Sequence, residues 1–202
     1  MLRLASLMGA AMLVAGCAQT PPQAPNNLCT IFLEKQPWHH AAVEAYEKWG
    51  APIPVLMAMM YQESSFRHDA EPPMEYFLGF IPIGRVSSAY GYAQAKTDTW
   101  GDYQRETQQT WADRDNFADA IDFMGWFVSK TQQVNGIAKS NAQDQYLSYH
   151  EGWRGFRQHT YARKPWLVQV AKKVDRRAKM YTKQYQACQD ELDSFTWFDW
   201  FF

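Results

Sequence analysis

The sequence predicts a mainly α-helical domain, and three observations support this. Apolar residues recur every three or four positions along several long stretches, which is the period of one face of an α-helix. Residues 55–60 are apolar at every position, as is typical of a helix in the centre of a core. Strands and helices do not alternate, and no internal repeat is visible. We therefore expect one helical domain over residues 28–202, with a short β-hairpin or a long loop as the exception.

The first half of this domain contains three helical stretches and one irregular stretch. Residues 28–49 predict two short helices or one kinked helix, because Pro37 interrupts the helical spacing and Gly50 stops it. Pro54 suits the first turn of the next helix, which carries the apolar run and ends in Tyr-Gln-Glu-Ser at 61–64. Residues 67–91 lose the pattern and hold proline and glycine clusters, so a loop with room for one hairpin is expected there.

The second half predicts four further helices. One spans about 98–107, and one spans 116–134 with Asp113 or Asp115 as its cap and Gly136 after its end. Residues 140–143 read as a capping box for a helix that runs to about 150. The last helix starts near Pro165, where apolar residues from 171 to 188 follow steps of three and four.

Charge and motif content exclude several function classes. The net charge is −1, and the basic cluster at 172–179 is interpreted as a solvated helix face, so nucleic-acid binding is not expected. His39 and His40 are adjacent rather than one helical turn apart, and no His-Glu-x-x-His pattern occurs. A Gly-x-Ser-x-Gly elbow is also absent, so a serine hydrolase is not expected. We therefore expect neither a metal nor another cofactor.

The N-terminus reads as an export signal over residues 1–16, with Arg3 before an apolar run at 4–15. The run leads into Leu-Val-Ala-Gly-Cys, which resembles the lipobox of bacterial lipoproteins, so Cys17 is the expected lipidation site. The alternative is an ordinary signal peptide with a chance cysteine. Residues 17–27 have the polar, proline-rich composition of a lipidated tether. Ala18, in place of an aspartate, favours a bacterial outer-membrane location facing the periplasm.

With Cys17 lipidated, Cys29 and Cys188 are the two cysteines that remain. An exported protein meets an oxidising compartment, which favours a disulfide between them. The alternative is two buried free thiols, because pairing cannot be read from sequence alone.

Glu63 is the candidate general acid. It stands at the end of an apolar helix, where desolvation penalises the charged carboxylate and raises its pKa. Cleavage of a glycosidic bond requires such an acid to protonate the leaving oxygen. Taken alone the position is a weak indication, because most glutamates near helix ends are exposed or paired.

Three segments taken together give a stronger indication. Residues 63–66, Glu-Ser-Ser-Phe, resemble the Glu-Ser-x-Phe motif that holds the catalytic acid of soluble lytic transglycosylases, relatives of goose-type lysozyme. Residues 89–94, Ala-Tyr-Gly-Tyr-Ala-Gln, resemble that family's Ala-x-Gly-Leu-Met-Gln segment. Residues 149–152, Tyr-His-Glu-Gly, resemble its Tyr-Asn-Ala-Gly segment. The resemblance covers about 54–155 in the family's order and implies a lysozyme-like, goose-type domain with any hairpin near the cleft.

The resemblance also implies site roles. Glu63 would be the catalytic residue, Gln94 would hydrogen-bond the sugar or the acid, and Tyr149 would orient Glu63. Ser88, or its neighbour Ser87, lies where the family can place a serine near the substrate N-acetyl group.

The sequence departs from the family motifs at several positions. Tyr92 and Ala93 replace Leu-Met, His150 replaces asparagine and Glu151 replaces alanine, and the stretch between Glu63 and Gln94 is longer than usual. Tyr92 and His150 remain candidates for substrate binding or positioning, although the family's contacts cannot be transferred to them. Further candidates for sugar-stacking subsites are aromatic, namely Tyr76, Phe77, Tyr90, Trp153 and Tyr161.

The implied function is cleavage of peptidoglycan glycan strands. In this family one glutamate protonates the glycosidic oxygen and then accepts the proton of the muramic acid C6 hydroxyl, which closes a 1,6-anhydromuramoyl end. Two alternatives remain open, a hydrolytic muramidase of the same fold and a catalytically idle peptidoglycan-binding scaffold lipoprotein. The apolar tail at 195–202 is expected to pack back on the domain, with a membrane or a partner as the alternatives.

Overall fold

The structure, a computed structural model, describes residues 20–198, without the side chains of the last four. The predicted signal peptide, Cys17 and the end of the aromatic tail lie outside the described residues. The described elements in chain order are α1 (Leu28–Glu34), α2 (Gln36–Trp49), α3 (Ile53–Ser64), β1 (Met74–Phe77), β2 (Ile81–Arg85), α4 (Thr97–Thr107), α5 (Phe117–Asn135), α6 (Ala142–Arg157), a 3₁₀ helix (Thr160–Arg163) and α7 (Pro165–Phe198). The predicted mainly α fold with a short hairpin is confirmed.

Asparagine side chains cap three of the helices. Asn27 Oδ1 accepts a hydrogen bond from Thr30 N at 3.2 Å at the start of α1. Asn116 caps α5, where either Asp113 or Asp115 was expected. Asn141 caps α6 through the N–H of the residue three positions later, whereas the predicted capping box at 140–143 has Ser140 as the cap. Each cap satisfies a backbone N–H that has no partner within the first helical turn.

The sixth helix continues beyond its predicted end near residue 150. Gly152 adopts φ 74° and ψ 162° inside α6, so the helix kinks there and resumes as far as Arg157. A side chain at this φ would be strained, which explains the glycine. The kink places residues 149–152 along one wall of the cleft described below.

α3 lies in the centre of the core. Residues 55–60 are buried on every side, as their uninterrupted apolar sequence predicts, and α3 contacts α2, α5, α6 and α7. Full burial of each valine, leucine or methionine side chain in this run contributes about 1.5–3 kcal/mol. Among the described helices, none is long and apolar enough to cross a bilayer. Because α3 is buried and packs against four other helices, the core fixes the position of its last turn, where Glu63 stands.

The hairpin of β1 and β2 projects from the domain. Phe77 pairs with Ile81 next to the turn, and every residue of both strands is exposed. Leu78 and Phe80 at the tip are 69% and 71% exposed. The hairpin lies within the long stretch between Glu63 and Gln94.

Residues 20–27 are fixed on the domain, although residues 17–27 were predicted to form a tether. Pro22 is buried, and Gln23 N donates to Glu34 Oε2 at 3.0 Å. The Pro25 carbonyl accepts hydrogen bonds from the Tyr181 hydroxyl and from Arg177. Because these partners on α1 and α7 hold both backbone and side chains, the described part of the segment does not act as a flexible linker.

A disulfide joins the two ends of the domain. Cys29 in α1 and Cys188 in α7 are bonded, with their Cα atoms 6.1 Å apart and a sequence separation of 159. The bond lies where α1 packs against α7.

Candidate active site

Glu63 stands in the last turn of α3, and its partly buried side chain opens into a cleft. Desolvation raises the pKa of Glu63 from 4.5 to about 7, and a hydrogen bond from the Tyr146 hydroxyl acts in the opposite direction. Near neutral pH the carboxyl group is therefore present in both protonation states. A group with this pKa can donate a proton in one step and accept one in the next.

The cleft has a volume of about 410 Å³. Its walls come from the end of α3, the base of the hairpin, the segment before α4, and the facing sides of α5 and α6. The lining residues are Glu63, Pro72, Val86, Ser87, Ala89, Gln94, Ala95, Lys96, Thr99, Phe123, Phe127, Tyr149, His150, Glu151 and Gly152. Glu63, Gln94, Tyr149 and His150 were all predicted site residues, and the structure brings them together.

The segment 89–95 is held tightly against the backbone around it. Gly91 has φ 74°, and a Cβ atom there would lie 2.0 Å from the Arg114 carbonyl oxygen, so only glycine fits. Gln94 Nε2 donates to the carbonyls of Ala70 at 2.6 Å and Gly91 at 3.0 Å. Gln94 lines the cleft, but its amide nitrogen closes this turn. A contact of Gln94 with a sugar would therefore use Oε1.

Two tyrosines of α6 lie beside Glu63. Tyr149 lines the cleft, and its hydroxyl donates to the Ala93 carbonyl rather than to the Glu63 carboxyl group. The hydrogen bond to Glu63 comes from Tyr146, one turn earlier on the same face. The hydroxyl that hydrogen-bonds Glu63 is therefore that of Tyr146, and not that of Tyr149, for which the orienting role is predicted from the sequence. The three-residue spacing of the two tyrosines was the signal that could have revealed it.

Tyr92 lies in the core, where it has no access to substrate. Its side chain is 0% exposed, and its ring packs edge-on against Trp38 at 5.5 Å and Phe117 at 5.6 Å. The predicted substrate role of Tyr92 is therefore wrong. The turn at Gly91 directs the side chain into the interface between α2 and α5.

Ser88 lies outside the cleft wall. Its hydroxyl accepts from Thr97 N at 3.2 Å and so supports the start of α4. Ser87, the alternative residue, lines the cleft, and its hydroxyl accepts from Ala89 N at 3.1 Å. The choice between adjacent serines depends on the local turn and could not be read from the sequence.

The aromatic wall of the cleft differs from the predicted set. The rings that line it are Phe123, Phe127 and Tyr149, and Trp153 stacks behind Phe127 at 5.0 Å. None of the predicted stacking residues lines this described cleft, namely Tyr76, Phe77, Tyr90, Trp153 and Tyr161. Phe123 and Phe127 lie one turn apart on α5, so they resembled an ordinary core stripe in the sequence.

Glu151 forms a buried polar cluster on the α6 wall. Its side chain is only 3% exposed, and its carboxylate accepts hydrogen bonds from Lys164 Nζ at 2.7 Å and from Thr160 Oγ1. His150 Nδ1 lies 2.9 Å from Glu151 Oε1. Desolvation raises the pKa of Glu151, but the hydrogen bonds from Lys164, Thr160 and His150 more than offset it and lower the pKa to about 2.

The cleft therefore holds two carboxyl groups whose pKa values are pushed apart. Glu63 has a pKa of about 7, whereas Glu151 has a pKa of about 2 and remains ionised. Such a separation makes Glu63 the cleft carboxyl group that is suited to proton transfer near neutral pH, whereas Glu151 keeps a negative charge. Within residues 20–198, no group of three or more His, Cys, Asp or Glu side chains is arranged to hold a metal ion.

Comparison with known proteins identifies one family. A family model described as a transglycosylase SLT domain matches residues 5–188. No curated protein and no solved structure matches the chain. The family match confirms the resemblance that the three sequence segments carry.

Proposed function

Because the chain belongs to the transglycosylase SLT domain family, we propose that it is a peptidoglycan lytic transglycosylase. It cleaves the β-1,4 bond between N-acetylmuramic acid and N-acetylglucosamine and leaves a 1,6-anhydromuramoyl end. The observation that carries this proposal is the Glu63 carboxyl group, which lies at the end of α3 in the cleft and has a pKa raised to about 7.

Glu63 serves both halves of the proposed reaction. Protonated Glu63 first donates its proton to the glycosidic oxygen, so the bond from that oxygen to C1 of the muramoyl residue breaks. The C6 hydroxyl oxygen then bonds to C1 while the ionised Glu63 accepts the hydroxyl proton. The enzyme returns to its starting state, and water is not consumed. The Tyr146 hydrogen bond stabilises the ionised carboxylate between the two steps.

The burial and hydrogen bonding of Glu151 support a transglycosylase over a hydrolase. Glycoside hydrolases generally use a second carboxylate either to activate water or to attack C1. Glu151 is the other carboxylate that lines the described cleft, but it is buried and engaged by Lys164, Thr160 and His150. A carboxylate held in this way is poorly suited to either task.

The test is a product analysis with purified sacculi. The wild-type protein should release muropeptides with anhydro ends, detected by mass spectrometry. Glu63→Gln should lower that rate by on the order of a hundredfold to ten-thousandfold or more while still cosedimenting with sacculi, because it keeps shape but loses the transferable proton.

Glu44→Gln is the matched control, since Glu44 is a well-exposed glutamate on α2 and its substitution should leave the rate unchanged. Reducing ends in place of anhydro ends would identify a muramidase of the same fold. Binding of the wild-type protein without any product would identify a scaffold.

We also propose that the protein is anchored in the bacterial cell envelope through lipid on Cys17. The export-signal pattern before Cys17 supports this, and the oxidised pair of Cys29 and Cys188 is compatible with an exported location. Cys17→Ser should move the protein from the membrane fraction to the soluble fraction of its native host.

A further inference from the structure

His150 and Glu151 are neighbouring departures from the family motif, and their side chains contact each other. His150 stands where the family has asparagine, and Glu151 stands where it has alanine. In the structure His150 Nδ1 lies 2.9 Å from Glu151 Oε1. Since each departure supplies the hydrogen-bonding partner of the other, the two form one feature rather than two separate changes.

The ionisation of Glu151 decides which nitrogen of His150 carries hydrogen. With a pKa of about 2, the Glu151 carboxylate has no proton at neutral pH and can only accept hydrogen bonds. Nδ1 of His150 must therefore be the donor in this contact. In the neutral ring Nε2 then has no hydrogen and is a hydrogen-bond acceptor.

Residues outside α6 hold this pair in place. Lys164 precedes α7 and Thr160 begins the 3₁₀ helix, and both hydrogen-bond the Glu151 carboxylate. Trp166 at the start of α7 contacts the edge of the His150 ring, with 5.3 Å between ring centroids. Glu151 is buried, whereas 35% of the His150 side chain is exposed. Contacts with Glu151 and Trp166 thus orient the imidazole. His150 also lines the cleft that contains Glu63.

We propose that Glu151 is a positioning residue that acts through His150, and that it holds the imidazole so that Nε2 accepts a hydrogen bond from a hydroxyl of the glycan strand. The inference rests on the proposed function for the identity of the ligand. It names the sugar hydroxyls, rather than the peptide part of peptidoglycan, as the groups recognised here. The competing interpretation is that Glu151 only ties α6 to the elements that follow it.

A double-mutant cycle separates these interpretations. The variants are His150→Asn, Glu151→Ala and the double variant, which restores the family's Asn-Ala pair. Loss of one neutral hydrogen bond should raise KM for soluble glycan fragments by about three- to tenfold, with a smaller change in kcat. If Glu151 acts through His150, the double variant should be no worse than His150→Asn alone. Multiplying effects would mean that the two residues act independently and would overturn the proposal.

Direct observation of the tautomer provides a second readout that does not depend on catalysis. Nitrogen-15 NMR of histidine-labelled protein, at a pH where the ring is neutral, should show His150 with hydrogen on Nδ1. The His150→Asn spectrum assigns the signal among the five histidines of the chain. Glu151→Ala should shift the population toward the Nε2–H form. A wild-type ring with hydrogen on Nε2 would overturn the proposal.

Two further variants keep the test decisive. If Glu151→Ala lowers the melting temperature below the assay range, Glu151→Gln replaces it, because its amide oxygen can still accept from Thr160 and Lys164.

In a Glu63→Gln background, affinity for glycan fragments should fall about three- to tenfold on adding His150→Asn. This binding measurement remains valid even if the wild-type protein releases no anhydro product, so failure of the proposed function and failure of this inference are distinguishable. Unchanged affinity would contradict the role of His150.

Discussion

At the scale of single residues, the cleft shows how surroundings give two glutamates opposite properties. Glu63 is desolvated and has one phenol as its hydrogen-bonding partner, so its pKa rises to about 7. Glu151 is also buried, but Lys164, Thr160 and His150 act together and lower its pKa to about 2. The number of donors around each carboxylate therefore decides which one exchanges protons near neutral pH.

The raised pKa of Glu63 predicts a pH-dependent stability cost. The folded protein holds this proton more tightly than the unfolded chain, so the free energy of unfolding decreases as the pH rises from 4.5 to about 7. Glu63→Gln removes the titrating group. At pH 8 we expect the variant to have a higher free energy of unfolding than the wild type, by at most about 3 kcal/mol. Its melting temperature should be higher accordingly. The difference should shrink toward pH 4.5, and a gap independent of pH would contradict the assignment.

Tyr146 and Tyr149 should respond differently to removal of their hydroxyls. Tyr146→Phe deletes the hydrogen bond that favours the ionised form of Glu63, so its pKa should rise and the pH profile of product release should shift upward. Tyr149→Phe deletes a hydrogen bond to the Ala93 carbonyl and should lower stability by about 1 kcal/mol with little shift of the profile.

Tyr46→Phe is the matched control, because Tyr46 is half-exposed on α2. Identical pH profiles for Tyr146→Phe and the wild type would contradict the pairing of Tyr146 with Glu63.

At the scale of elements, local signals in the sequence predict most boundaries. The break near Pro37, the end of α2 at Gly50 and the apolar run of α3 all follow from side-chain chemistry that acts within a few residues. The prediction is wrong where the decisive contact is distant in sequence. Tyr92 enters the core because Trp38 and Phe117 enclose it, and neither contact is visible locally. Likewise, α6 extends past residue 150 because Gly152 kinks it without ending it.

The turn at Gly91 gives a prediction at this scale. Gly91→Ala forces a Cβ atom against the Arg114 carbonyl and a strained φ, so we expect a loss of at least about 1–2 kcal/mol in the free energy of unfolding. Gly101→Ala is the control, since Gly101 lies inside α4 and its nearest neighbour is the flexible end of Arg105. That change should be neutral or stabilise by up to about 1 kcal/mol. Denaturant unfolding of both variants tests this, and equal effects would contradict it.

At the scale of the whole molecule, α7 connects the cleft to the N-terminal end of the domain. Its 34 residues correspond to a length of about 50 Å, and it contacts α1, α2, α3 and α6. Trp166 near its start contacts His150 beside the cleft, whereas Cys188 near its end bonds to Cys29. The helix thus couples the position of the cleft wall to the packing of the first described residues.

The disulfide should stabilise this arrangement substantially. Because the sequence separation of Cys29 and Cys188 is 159, the chain-entropy model gives about 5 kcal/mol, and measured values are often lower. Adding a reductant should therefore lower the melting temperature of the wild type markedly. The Cys29→Ala/Cys188→Ala double variant, which already lacks the bond, should not respond to the reductant. An unchanged wild-type melting temperature after complete reduction, verified by thiol titration, would contradict this.

The fixed segment at 20–27 would limit the distance between the domain and a membrane to which Cys17 is anchored. If Cys17 carries the lipid, only residues 18 and 19 separate it from the segment that Glu34, Arg177 and Tyr181 hold on the domain. Three residue steps span at most about 11 Å. The domain would then stay close to the bilayer, and it would cut only the layer of wall nearest the membrane. A twenty-residue glycine-serine insertion after Gln19 should leave digestion of isolated sacculi unchanged but increase the anhydro ends formed in living cells, and an equal yield there would show that reach is not the constraint.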